Sequence, residues 1–154
     1  MKRKLLSVLL TFCLAFSLLP TAALADGVDN CTENCGHVAA IGTTHYSTLQ
    51  EAVDAATAGQ TVKLVADVTE DITIPTGKNI TLDLGNSTLT NKSGDTIVVE
   101  IGATLTVTGS GTVDNVTHGK AAIYNNGTVI LNGGSYLEGA TARERNGQIG
   151  GHKA

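Results

Sequence analysis

The chain has 154 residues, a net charge of −4 and 42% hydrophobic residues, yet aromatic residues make up only 3% and Trp is absent. An acidic chain of this kind lacks the basic footprint of a nucleic-acid binder. With so few large side chains it cannot fill a thick globular core, but it can fill a thin one built of Val, Ile, Leu and Thr.

Residues 1–25 have the pattern of a secretory signal peptide. Lys2, Arg3 and Lys4 precede the apolar run "LLSVLLTFCLAFSLL", Pro20 breaks it, and Ala23-Leu24-Ala25 fits a small-x-small cleavage site. Cleavage leaves 129 residues, about one domain, with seven basic residues against fourteen acidic ones, a net charge of −7. The expected location is secreted or extracellular, on the cell surface as a variant of that, with no transmembrane span after signal removal and no nucleic-acid partner. The short Lys-Arg-Lys start has a bacterial look.

Residues 26–46 form a polar lead segment holding Cys31 and Cys35 in "CTENCGH". In an oxidising compartment a small disulfide between them is the expectation. The alternative adds His37 and His45 to make a Cys2His2 metal site, at a spacing unlike that of a standard finger.

Residues 47–58 predict one short amphipathic helix. Ser47 with Gln50 reads as a capping box, and Leu49, Ala52, Val53 and Ala56 recur at helical spacing. Gln50, Glu51 and Asp54 are left outside, and Gly59 closes the helix as a C-cap.

From residue 60 to 139 the period drops to two, in short strands separated by Gly, Asn, Asp and Ser. The strands recur at a step near 24 residues. Ile72, Ile97 and Ala121 fall in one column, as do Ile74, Val99 and Ile123. Leu82, Leu105 and Val129 form another, with Leu84, Val107 and Leu131 beside it. Leu89, Val113 and Leu137 step by 24 and 24, and so do Gly85, Gly109 and Gly133. Three strands per unit at this period imply stacked coils, with equivalent residues about 4.8 Å apart in ladders inside a narrow tube. Residues 140–154 lose the pattern and read as an irregular tail.

The predicted fold is therefore all-β: a right-handed parallel β-helix of about three to four coils with a short N-terminal capping α-helix. The stretch "STLQEAVDAATAGQTVKLVADVT" resembles the N-terminal cap of the pectin-lyase-like superfamily, in which a helix with a Gly-x-Thr-Val exit covers the first coil, and "DITIPTGKNITLDLGNSTLT" resembles that coil. The lead "CGHVAAIGTTHYSTLQEAV" is similar to secreted or surface proteins of Gram-positive gut bacteria. The superfamily includes lyases, hydrolases, adhesins and proteins without known chemistry, so the resemblance implies the fold and leaves the activity open.

Lyases of this superfamily use acidic clusters that hold calcium and an Arg or Lys base. The mature arginines here, Arg143 and Arg145, lie in the irregular tail, and no motif carries the family's catalytic residues onto this chain. Hydrolases use paired carboxylates. One candidate pair exists: Asp114 and Glu138 each follow an inward apolar residue, Val113 and Leu137, and are expected to face outward on adjacent coils. Two like charges there would either splay into water or be relieved by Ca2+, the one cofactor the pair admits. Two solvated carboxylates, no catalytic residue and no cofactor are the expectation. Tyr124, one residue past Ile123, is expected outward beside Glu100, as a sugar-stacking residue or a plain surface one.

The functional expectation is a secreted or cell-surface β-helix module, non-catalytic and adhesin-like, touching glycans or host and cell-surface proteins. The alternative is a polysaccharide lyase or glycoside hydrolase, or an inactive fragment of one. The repeat is lost after Gly139 without a second cap or sorting motif. A truncated member whose uncapped last coil self-associates is therefore expected.

Overall fold

The computed structural model describes residues 36–117 and 119–138, and the backbone of one further strand, Gln148–Ile149. The signal peptide, Cys31, Cys35, His118, Arg143 and Arg145 lie outside the described residues.

A hairpin of β1 (Ala39–Ile41) and β2 (Thr44–Tyr46) leads into α1 (Leu49–Ala55). Three coils of three strands follow. The first holds β3 (Thr61–Leu64), β4 (Val68–Thr69) and β5 (Ile72–Ile74). The second holds β6 (Asn79–Asp83), β7 (Thr88–Thr90) and β8 (Ile97–Val99). The third holds β9 (Thr104–Thr108), β10 (Thr112–Asn115) and β11 (Ile123–Asn125). A fourth begins with β12 (Thr128–Leu131) and β13 (Ser135–Glu138), and β14 (Gln148–Ile149) comes last among the described strands.

Equivalent strands stack in parallel and form the walls of a β-solenoid of about three turns. One wall runs β3-β6-β9-β12, with the β1–β2 hairpin added antiparallel beside β3. The second runs β4-β7-β10-β13, and the third β5-β8-β11 with β14 antiparallel at its end. Inward residues alternate with outward ones along each strand, so apolar ladders fill the tube. Leu82, Leu105, Val107 and Val113 are wholly buried.

Two columns sit in a different register from the one the spacings suggest. Leu105 and Val129 stack on Ile80, and Val107 and Leu131 stack on Leu82. Ile123 stacks on Ile97, which puts Asn125 rather than Ile123 over Val99. Both slips are of two residues, and a strand shifted by two keeps the same face toward the core. The glycine column is as expected. A Cβ on Gly109 would lie 2.6 Å from the amide nitrogen of Gly85, so only glycine lets these coils approach, and its φ of +89° suits the same residue.

The helix begins one residue later than expected. Thr48, not Ser47, is the N-cap: its hydroxyl accepts from the Glu51 amide at 3.2 Å, and the Glu51 carboxylate accepts from the Thr48 amide at 3.2 Å. Ala56, in extended conformation, is the C-cap, and Gly59 makes the left-handed turn into β3 (φ +81°). Leu49, Ala52 and Val53 are buried on the first coil. Gln50 is not left outside. Its side-chain amide donates to the Thr73 carbonyl at 3.0 Å and accepts from the Thr73 amide at 2.8 Å, taking the place of a neighbouring strand at the edge of β5. Lys78 donates to the carbonyls of Asp54 and Ala56 at 2.7 and 2.6 Å, closing the other end of α1. Among the described residues no helix is long and apolar enough to cross a membrane.

Candidate functional site

The expected carboxylate pair does not form. In β13 the register is one residue away from the expectation: Tyr136 stacks on Val113, Leu137 on Asp114, and Glu138 on Asn115. A one-residue shift exchanges the two faces of a strand. Tyr136, rather than Leu137, therefore continues the inward column of Leu89 and Val113. Its hydroxyl donates to the Gly133 carbonyl at 2.8 Å, and burial pushes its pKa up to about 12, so the phenol stays neutral. Asp114 remains in the outward column with Thr90, without Glu138 beside it, and its Oδ1 is buried without a hydrogen-bond partner.

Glu138 instead ends a column of polar residues that spacing alone did not reveal. Thr69 pairs with Thr90 and Thr90 with Asp114, so Glu70, Asn91 and Asn115 follow one another across the coils, with Glu138 next. Asn115 is fully buried, and its Nδ2 donates to the carbonyls of Gly94 and Ala121, both at 2.9 Å, and to the Thr96 hydroxyl at 3.1 Å. Its Oδ1 accepts from the Thr117 amide at 2.9 Å. Asn91 donates to the Gly94 carbonyl and the Thr117 hydroxyl and accepts from the Val116 amide. Burying these amides is favourable because every turn leaves backbone groups that need a partner. The signal was present in the sequence: Asn91 and Asn115 stand 24 residues apart, each directly after an outward residue.

At one end of this column Glu70 accepts the Leu49 and Gln50 amides at 3.0 and 3.1 Å, which holds α1 over the first coil. At the other end burial raises the Glu138 carboxyl, the Ala122 amide partly offsets this, and the charge of Asp95 adds to the rise. Asp71 makes a separate cross-coil clasp with the amides of Lys92, Ser93 and Gly94. Desolvation raises its carboxyl, but the amides of Gly94, Lys92 and Ser93 outweigh it and leave the pKa below its ordinary value.

Tyr124 lies outward and half-buried, opposite Val98 rather than beside Glu100. The more extensive outer surface is that of β3-β6-β9-β12. Thr61, Thr81 and Thr106 form one column there, continued by Ile130, and Thr104 and Thr128 form a second beside Asn79. These columns make a flat grid of hydroxyls and methyls, spaced about 4.8 Å between coils and about 7 Å along a strand. Among the described residues no three His, Cys, Asp or Glu side chains converge as a metal site. His37 and His45 do come together, their ring centres 5.8 Å apart in an edge-to-face arrangement.

Fold and site together define the class of this protein as a parallel β-solenoid with a helical N-terminal cap. Comparisons with protein-family models, curated proteins and solved structures returned no match.

Proposed function

We propose that the chain is a non-catalytic, adhesin-like module of pectin-lyase-like descent, secreted or displayed on a cell surface, that contacts carbohydrate through its lateral walls. The observation that carries this reading is the Thr grid on β3-β6-β9-β12. A rigid, regularly spaced array of hydroxyls and methyls suits an extended chain of sugars, which presents hydroxyls and C–H faces at regular intervals. Tyr124 adds an aromatic surface on the neighbouring wall. The hydrolytic alternative rested on Asp114 and Glu138 standing side by side, and the register takes that support away.

A glycan array and sedimentation with insoluble polysaccharides test the reading. The chain is expected to bind at least one polysaccharide. Thr81→Lys with Thr106→Lys should weaken binding about tenfold or more, and Tyr124→Ala should weaken it less. Absence of binding to every glycan sinks the proposal, as does calcium-dependent cleavage of pectin or polygalacturonate. The same reading gives β12, where Ile130 and Leu131 are exposed, a second copy of the chain as partner. Sedimentation velocity should then show an association that Ile130→Lys abolishes.

A further inference from the structure

His37 and His45 are eight residues apart, on the two arms of the hairpin that closes the N-terminal edge of a wall. His45 lies within β2, opposite Ala40, and His37 just precedes β1. The Val38 amide donates to the Tyr46 carbonyl at 3.0 Å, extending the pairing beyond β1 and bringing the two imidazoles to one place. Both rings are half-buried, with planes 74° apart and centres separated by 5.8 Å. Two imidazoles on one tetrahedral zinc, each with Zn–N of about 2.0–2.1 Å, have ring centres about 5 Å apart. The observed separation is thus within a small side-chain adjustment of joint ligation.

Two further ligands are available by chain reach. Cys35 stands two residues before His37 and Cys31 six before it. At about 3.5 Å per residue these tethers span up to roughly 7 and 20 Å, so both thiols can approach the imidazoles. A disulfide between the cysteines would give no reason for two histidines to converge beside them. Thiolate and imidazole together form a donor set that selects Zn2+ over the hard cations Ca2+ and Mg2+.

We infer that Cys31, Cys35, His37 and His45 form a structural Zn2+ site that clamps the lead segment onto the β1–β2 hairpin. Two thiolates and two neutral imidazoles close a tetrahedron with no open position, so the metal stabilises the cap and performs no chemistry.

The full chain, purified without added chelator, should contain stoichiometric zinc by elemental analysis, with Cys31 and Cys35 alkylated as free thiols after denaturation. Replacing zinc with Co2+ should produce tetrahedral d–d bands with a thiolate charge-transfer band. His45→Ala should weaken Co2+ binding by about a hundredfold or more, beyond the loss caused by removing a partner of a ligand. His37→Ala leaves β1 and β2 intact and should do the same with an unchanged far-UV circular dichroism spectrum. A chain isolated with Cys31 and Cys35 oxidised and no metal overturns the inference. So does Co2+ binding that neither histidine substitution weakens.

Discussion

At the first coil, Glu70 accepts two amides of α1, Gln50 takes the place of a strand beside β5, and the β1–β2 hairpin lies against β3. At the fourth, Glu138 takes the position equivalent to Glu70 with no helix among the described residues to receive it, and Leu131 is 37% exposed where its stacked partner Val107 is fully buried. The two ends of one polar column thus carry the same residue type in opposite circumstances. A carboxylate facing the N-terminus of a helix gains from its amides and dipole. One at the edge of a stack loses solvation and gains little. A solenoid is stable where each coil finds a neighbour on both sides, so its ends need devices its middle does not.

The largest effect should come from the middle of the column, which sets the scale for both ends. Asn115→Ala removes four hydrogen bonds and leaves the Thr117 amide and the Ala121 carbonyl short of a partner. Urea unfolding should show a loss of about 3–5 kcal/mol. If the loss is under about 1 kcal/mol, the column is not a structural spine.

Next come the apolar residues that cover or end the stack. Leu49→Ala empties a fully buried site under the cap and should cost about 3 kcal/mol, whereas Leu131→Ala on the open coil should cost about 1 kcal/mol or less. Equal losses in thermal and urea unfolding would mean that the far end is as well covered as the near one.

A smaller difference separates the two carboxylates. Glu70→Ala should cost about 1–2 kcal/mol through the lost helix cap, read as a lower denaturation midpoint. Glu138→Gln should leave stability near neutral pH unchanged or slightly raised.

The smallest effect is a pH dependence of opposite sign at two positions. Glu138 has a raised pKa in the folded state, so the native state binds more protons than the unfolded one just above the ordinary carboxylate range. Its contribution to stability therefore falls as pH rises through that window, and Glu138→Gln should flatten the fall. Asp71 has a lowered folded-state pKa, so its clasp contributes above the ordinary carboxylate range and is lost on acidification. The gap in midpoint between the parent chain and Asp71→Asn should accordingly shrink from neutral pH toward about pH 3.

Much of this architecture was legible in the chain. Strand alternation, the 24-residue step, the glycine column and the amphipathic helix are all local or periodic features, and the structure contains each of them. The capping box was misplaced by one residue because "YSTLQE" offers both Ser47 with Gln50 and Thr48 with Glu51, and only the demand of the Thr73 backbone for Gln50 separates them. The site was less legible. In "SYLE" both Tyr136 and Leu137 are apolar enough to face inward, so alternation cannot tell which one does. The register follows from the turn, where Gly134 and Ser135 donate to the carbonyls of Gly109 and Gly111.

The sequence by itself determined that the chain winds into coils, because a hydrophobic period survives any slip of two residues. Tertiary structure alone decided which residues share a column. Coil-to-coil hydrogen bonds set the register, and that register separated Asp114 from Glu138, aligned Glu138 with Asn115, and brought His37 to His45. Side-chain chemistry depends on those columns at the level of a single residue. A one-residue shift leaves the repeat nearly unchanged in sequence and moves a carboxylate from one side of the wall to the other.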